Sequence, residues 1–254
     1  MRLASWNVNS LRVRLDHLLD WLANVQPDVA CLQETKTEDA NFPVAELRNA
    51  GYHAAFCGQR AYNGVAILSR SEIQDVAHGI PGFADQLKRC IAATVDGVRV
   101  VCLYAPNGEA PGTDKYAYKL RWYEALTGWM TQALQHTPNL ALLGDMNVAP
   151  EDRDVHDPKR WAGKIHVSEP EREALRRLMA VGFADAFRLF SQPERVFSWW
   201  DYRLNAFQRG WGLRIDLALL APAVAKRCTA CTIDLAPRRR ERPSDHAPVI
   251  VDLN

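Results

Sequence analysis

Apolar positions along the chain recur with two periods, and the period switches several times between the first residues and the last. Leu3-Ala-Ser-Trp-Asn-Val alternates as a strand does. Leu11, Leu15, Leu18, Leu19 and Leu22 follow at the spacing of one face of an amphipathic helix. Asp28-Val-Ala-Cys-Leu-Gln-Glu is a nearly continuous apolar run that ends on a carboxylate, the pattern of a strand covered on both faces. Gly64–Ser69, Ile91–Val95 and Val98–Tyr104 are further strands, and Asp96-Gly97 between the last two is a strong hairpin signal. Helical spacing returns from Lys115 to Gln135, with Leu120, Tyr123, Leu126, Met130 and Leu134 inward. Leu140–Leu143 is another buried strand and runs into Gly144-Asp145-Met146-Asn147. A helix is expected from Pro170 to Val181, with Ser168 in the N-cap position and Gly182 in the C-cap position. Beyond a loop-rich stretch at 190–213 come strands Leu213–Leu220 and Ala247–Leu253.

Many strands with helices at intervals point to a layered α/β fold, sheets packed together and helices outside. No repeat, low-complexity tract or linker interrupts residues 1–254, so one domain is expected. A composition of 48% hydrophobic and 24% charged residues excludes disorder and collagen-like arrays. No apolar run approaches the ~18 residues that span a bilayer. The opening MRLASWNVNS enters structure at once, without the charged-then-apolar layout of a signal peptide, so a cytoplasmic protein is expected. At a formal net charge of +1, any polyanionic partner must be held by a local basic patch. Of the six cysteines, Cys31 and Cys102 lie in apolar runs and read as core residues. Cys228-x-x-Cys231 is the one spaced pair, and no second pair lies near to complete a zinc site.

The chemistry concentrates at strand ends. Glu34, Asp145 and Asp245 each lie just beyond or before an apolar strand, and Asp216 lies inside one. Asn7 and Asn147 fall at equivalent ends, and His246 adjoins Asp245. Ionised carboxylates rarely sit in such places unless paired, hydrogen-bonded or coordinating a metal. One such acid alone reads as a solvated strand end. Six oxygen-bearing side chains in one context read as a site, and hard oxygen donors without thiolates select Mg²⁺ or Mn²⁺.

Trp6-Asn7-Val8-Asn9, Leu32-Gln33-Glu34-Thr35-Lys36, Gly144-Asp145-Met146-Asn147, Gly212-Leu213-Arg214-Ile215-Asp216 and Pro243-Ser244-Asp245-His246-Ala247-Pro248-Val249 resemble, in order, the motif blocks of the exonuclease III family. Asn63–Ile67 and Phe197–Arg203 add to the likeness, which covers essentially the whole chain. The resemblance implies a two-sheet β sandwich with flanking helices, the four-layer DNase I-like fold. It also implies a divalent-metal-dependent phosphoester hydrolase acting on duplex DNA at 3′ ends, nicks and abasic sites; a monomer is the default expectation for its oligomeric state. Carried over by position, Glu34 and Asp245 resemble metal ligands, with Asn7 close to the same ion. Asp145 resembles the residue that orients or deprotonates the attacking water, and Asn147 the one that holds Asp145 and the phosphate. Tyr104 resembles a phosphate-contacting phenol, and His246, paired with Asp216, a transition-state stabiliser.

Substrate-binding candidates are less sharply marked. Arg238, Arg239, Arg240 and Arg242 lie just upstream of Asp245, either as phosphate contacts or as a solvated loop. Arg12, Arg14, Lys115, Lys119 and Arg121 are weaker candidates of the same kind. Trp199, Trp200 and Trp211 can stack on a base or enclose a deoxyribose, with core packing expected for one of them. Trp199, Trp200 and Leu213 match the family's lesion-pocket positions, with Trp200 where phenylalanine is more usual. His166 stands where the family tends to carry a small residue. It either fills the room an extruded abasic nucleotide needs, favouring 3′-end processing, or points to solvent or a phosphate. Two other functions are open to such a chain: a nucleic-acid-binding regulator that has lost catalysis, and a phosphatase acting on a small or lipid phosphate. The first should have a broken carboxylate set, and the second a head-group pocket or an apolar membrane-facing loop.

Overall fold

A computed structural model describes residues 1–254, which form twelve strands and six α-helices. Up to Tyr104 the order is β1 (Arg2–Asn7), α1 (Leu11–Val25), β2 (Val29–Gln33), α2 (Val44–Asn49), β3 (His53–Cys57), β4 (Val65–Ser69), β5 (Gln74–His78), β6 (Cys90–Val95) and β7 (Val98–Tyr104). Then come α3 (Asp114–His136), β8 (Leu140–Asp145), α4 (Pro158–Trp161), α5 (Glu169–Ala180), β9 (Ala184–Asp185), β10 (Asp216–Leu220), α6 (Pro222–Ala225), β11 (Cys228–Ile233) and β12 (Val249–Leu253). The strands make two six-stranded sheets, ordered β11-β12-β1-β2-β4-β3 and β5-β6-β7-β8-β10-β9.

Side-chain alternation builds three apolar layers from these two sheets. Leu3, Val29, Cys31 and Ile67 of the first sheet meet Ile91, Val100, Cys102, Leu143 and Ala218 of the second. The other face of the first sheet, with Ala4, Trp6 and Leu32, packs on Leu11, Leu18 and Leu22 of α1. The other face of the second, with Val101, Leu142 and Leu219, packs on Trp122 and Met130 of α3 and Leu175 of α5. Helix, sheet, sheet, helix is the expected four-layer sandwich, each large buried side chain contributing about 1.5–3 kcal/mol.

Local signals act as anticipated. Asp96 and Gly97 both take positive φ (47° and 76°) and close the β6–β7 hairpin with Val95 opposite Val98. Ser168 caps α5 in a reciprocal box with Glu171. In α3, however, the inward face is Tyr116, Lys119, Trp122, Tyr123, Leu126 and Met130, while Leu120 and Leu134 are half-buried. Lys119 is therefore no phosphate contact: it is 0% exposed and pairs with Glu171 between the two helices. The unanticipated strands β3, β5, β9 and β11 are the four sheet edges. All six cysteines are free, and Cys228 and Cys231 lie on the edge strand β11. No helix is long and apolar enough to cross a membrane.

Candidate active site

The alternation that fills the sandwich also decides what stands at its end. Residues two apart share a face, so the inter-sheet row of β1 runs Leu3, Ser5, Asn7 and that of β8 runs Ala141, Leu143, Asp145. The row of β7 ends at Tyr104, and that of β10 begins at Asp216. Register then places Tyr104 beside Asp145, and Asp145 beside Asp216. Two carboxylates directly opposite on neighbouring strands oppose folding. Glu34 and Asn147 follow β2 and β8 with left-handed backbones (φ 49° and 52°) that turn their side chains back over the same end.

Hydrogen bonds tie these groups into one cluster. Asn7 Nδ2 donates to Glu34 Oε1 at 2.8 Å and to Asp145 Oδ2 at 3.0 Å. The Asn147 backbone N–H donates to Asp145 Oδ1 at 2.9 Å. His246 Nδ1 lies 2.9 Å from Asp216 Oδ2, whose carboxylate also accepts from Ser198 Oγ at 2.6 Å. That contact fixes the imidazole with its Nδ1 proton toward Asp216, leaving Nε2 facing Asp145 Oδ2 at 3.7 Å. Asn147 Nδ2 donates to the Ala105 carbonyl at 2.9 Å. Burial pushes the Asp145 carboxyl well above the carboxylate range, with Asp216 and Glu34 adding to the rise and His246 opposing it. Burial would discharge His246, but the carboxylates of Asp216, Asp145 and Asp245 outweigh it and raise the imidazole to about 10, so it is cationic at neutral pH.

Carboxylate oxygens of Glu34 and Asp145 and a ring nitrogen of His246 lie within 4.8 Å of one another. Hard oxygens, surplus negative charge and no thiolate fit a hard divalent cation. Two of the expected ligands sit differently around this group. Asn7 presents its amide nitrogen to Glu34 and Asp145, and its side-chain carbonyl oxygen accepts from the Asn9 backbone at 3.0 Å. Asp245 stands outside the three-residue group, its oxygens held by Asn9 Nδ2 at 2.8 Å and Trp199 Nε1 at 3.0 Å.

The residues expected to meet DNA divide by exposure. Arg239, Arg240 and Arg242 are exposed, although Arg240 pairs with Asp20 at 2.7 Å. Arg238 does not face outward: it is buried, donates to the Ser244 carbonyl and lies 4.8 Å from the Phe207 ring centre, so it shapes the loop ahead of Asp245. Trp200 and Leu213 are buried as well, which makes Trp200 the packing member of its trio, while Trp199 and Trp211 are half-exposed. His166 does not point to solvent. Its Nδ1 donates to the Asn147 carbonyl at 2.7 Å, and its ring lies 6.0 Å from that of Trp199.

Several contributors carry no strong sequence pattern. Lys36 pairs with Glu34 at 2.9 Å. Ser198 holds Asp216 as described. Arg14 is more than a wet helix face: it bonds Tyr202 and the Pro243 carbonyl (both 3.1 Å), bracing the wall around Asp245. Asn9 has a legible signal, lying two residues beyond Asn7 in a polar row.

A two-sheet sandwich with a polar cluster at the paired strand ends defines the structural class. The chain belongs to the endonuclease/exonuclease/phosphatase family, whose model it matches over residues 4–246. It is 35% identical to exodeoxyribonuclease III of Haemophilus influenzae, with 98% of each chain covered. It superposes at a TM-score of 0.98 on the Neisseria 3′ phosphatase NExo bound to a product DNA hairpin, at 44% identity over 100% of this chain and 99% of that one. An AP endonuclease from Archaeoglobus fulgidus matches at a TM-score of 0.96 and 38% identity, over 100% and 99% of the two chains.

Proposed function

We propose that the protein is a Mg²⁺- or Mn²⁺-dependent DNA-repair phosphoesterase that cleaves the bond between phosphorus and a 3′ oxygen at ends and nicks of duplex DNA. Residues 1–254 act as one domain and one copy suffices. The relatives' names supply the substrate, and the observation that carries the reading is the meeting of Glu34, Asp145 and His246 at the sandwich end.

Glu34 and Asp245 would hold the cation, with Asn7 close to the same ion, and when bound it supplies Lewis acidity and charge neutralisation at the scissile phosphate. A phosphodiester already repels a nucleophile, so the remaining task is to orient water and place positive charge. Asp145, fixed through both oxygens by Asn7 and Asn147, accepts the proton of the attacking water. Cationic His246, held by Asp216, donates from Nε2 to a phosphate oxygen as charge builds in the transition state. Tyr104 and Asn147 add polar contacts to the same phosphate. The water oxygen bonds to phosphorus, the P–O3′ bond breaks, and the 3′ oxygen leaves and takes a proton from solvent. Loss of a 3′ phosphate, loss of a terminal nucleotide and incision at an abasic site are one chemistry on three substrates.

The test is release from a 3′-labelled duplex in Mg²⁺ and in EDTA. Metal-dependent release supports the reading, while a non-catalytic regulator or a phosphatase of small or lipid phosphates would leave the duplex intact. Within this activity, His166 favours 3′ ends over internal abasic sites. Packed between Asn147 and Trp199, it fills space that an extruded nucleotide needs. His166→Gly is expected to raise abasic incision relative to 3′-phosphate removal. A wild type already efficient on abasic duplex, with glycine leaving the ratio unchanged, refutes it.

A further inference from the structure

Behind the turn that carries Asp145 and Asn147 lies a polar group that the apolar layers do not account for. Lys119 and Tyr123 stand four residues apart on the inward face of α3, and both are 0% exposed. A lysine buried in an apolar row needs each of its three N–H donors met. One goes to Glu171 of α5, and the other two cross to backbone carbonyls, Asn107 at 3.1 Å and Asn147 at 2.7 Å. The Tyr123 hydroxyl donates to the Met146 carbonyl at 2.5 Å. One face of α3 therefore holds two consecutive carbonyls of the turn that follows β8, and ties that turn to the loop that follows β7.

Each part of this arrangement is itself fixed. Glu171 Oε1 accepts from Lys119 and from the His166 backbone at 3.1 Å, and Oε2 accepts from the Ser168 hydroxyl and backbone. The carboxylate is thus anchored at the first turn of α5, and it anchors the ammonium. Gly108 gives the lysine stem room, since a Cβ there would stand 2.9 Å from Lys119 Cδ. The Asn147 carbonyl accepts from Lys119 and from His166 Nδ1, so both of its lone pairs are filled. A fastener between α3 and α5 would need the ion pair alone. Two of the three lysine donors go instead to the loops that carry Tyr104 and Asp145.

The turn has reason to be held. Asn147 takes a φ of 52°, a conformation that persists in a residue with a side chain only where the surroundings over-determine it. That backbone aims the Asn147 N–H at Asp145 Oδ1, 2.9 Å away, and carries the Asn147 side chain to the Ala105 carbonyl. Relaxation toward an ordinary φ would swing the N–H off the carboxylate. We propose that Lys119 and Tyr123 are positioning residues, which aim the Asp145 carboxylate by clamping the Met146–Asn147 backbone from behind without touching DNA. This role rests on the phosphoesterase reading, in which Asp145 accepts the proton of the attacking water.

The test pairs turnover with amide NMR. Tyr123→Phe deletes one hydroxyl, and Lys119→Met combined with Glu171→Gln removes the cation without stranding a buried carboxylate. On a 3′-phosphate duplex in Mg²⁺, each variant is expected to lower kcat about ten- to a hundredfold, with KM within about threefold of wild type. In spectra of the metal-free protein, the Asn147 amide proton should move upfield as its bond to Asp145 lengthens. Wild-type kcat in both variants overturns the proposal whatever their thermal midpoints, because the contacts would then serve packing alone. An unmoved Asn147 amide overturns it too, as does a raised KM with kcat unchanged, which would shift the effect to DNA binding. If the paired variant fails to fold, Tyr123→Phe carries the same comparison. No release by the wild type refutes the phosphoesterase reading instead, and the amide shift, which needs neither metal nor turnover, still decides whether α3 holds the turn.

Discussion

Two groups of buried charge lie only a few residues apart in sequence, and they are organised in opposite ways. Around Arg214 the guanidinium reaches Asp154 and Asp185 at 2.7 Å each, and Arg188 adds a second cation to Asp154. Every carboxylate there has a guanidinium, and Lys119 with Glu171 repeats the arrangement one layer away. Around His246 the balance fails. Glu34, Asp145, Asp216 and Asp245 face one imidazole and one ammonium, that of Lys36, and Asp145 stands opposite Asp216 across a strand pair. Burying a charge costs free energy in both places, but only the first group offsets the cost internally. Buried carboxylates alone do not mark an active site. Carboxylates left short of positive charge do, because a cation and a phosphate complete the set.

Single substitutions should separate the two groups. Asp145→Asn is expected to lower kcat by about 10²–10⁴-fold, with the thermal midpoint unchanged or raised, since it removes charge from a cluster holding too much. Glu34→Ala should act similarly. Asp154→Asn should do the reverse, destabilising by about 3–5 kcal/mol in denaturant unfolding because fully buried Arg214 loses one of its two carboxylates and Arg188 loses its ion-pair partner. An Asp145→Asn protein that keeps full turnover, or an Asp154→Asn protein that unfolds like the wild type, removes the distinction.

Metal titration probes the same contrast more gently. Mg²⁺ at about a hundred times its dissociation constant should stabilise the wild type and Asp154→Asn alike by about 2.7 kcal/mol, and Glu34→Ala far less. Equal shifts in all three would place the cation elsewhere.

Acid should expose a further cost of burial. Desolvation, then the nearby Lys119, hold the His166 imidazole down at about 3 against an ordinary 6.5. The unfolded chain takes up that proton as pH falls through 6.5 and the folded chain does not until about 3. The stability present above pH 6.5 is therefore lost on acidification between those values, by up to about 1.4 kcal/mol per pH unit from this group. His166→Gly, whose residue accepts the φ of 70°, should flatten that slope, and urea midpoints measured against pH would show it.

The smallest effect concerns the arginine loop. Arg239→Gln with Arg242→Gln should reduce the log–log salt slope of DNA binding by about 0.9 for each phosphate that the loop neutralises in the wild type. Arg238→Gln should instead lower stability, because that side chain is buried on Ser244 and Phe207.

What the sequence discloses follows from where pattern is strong. All eight interior strands are legible from alternation or continuous apolar runs, and all four edges escape. Gln74-Asp-Val-Ala-His, largely exposed, carries no period because an edge strand has few positions that must be apolar. The site is legible because its members end apolar rows, as Asp145 ends Ala141–Leu143. Direction is not legible. Whether Arg238 or His166 turns inward depends on packing against residues far along the chain, Phe207 and Asn147 among them, and no local period encodes it.

The pairing of β1 with β12 reaches into biosynthesis. The Met1 amino group bonds the Leu253 carbonyl at 2.7 Å, and Arg2 and Asp252 pair at the same distance. β1 is thus an interior strand with one neighbour, β2, close in sequence and the other, β12, far along the chain. Pairings so distant in sequence raise contact order and slow folding. On the ribosome, Asn7 and Glu34 emerge well before Asp245 and His246, so the first sheet keeps an unpaired apolar edge until β12 is made. That interval is when a chaperone has most to protect, and the completed carboxylate cluster signals that the chain has closed on itself.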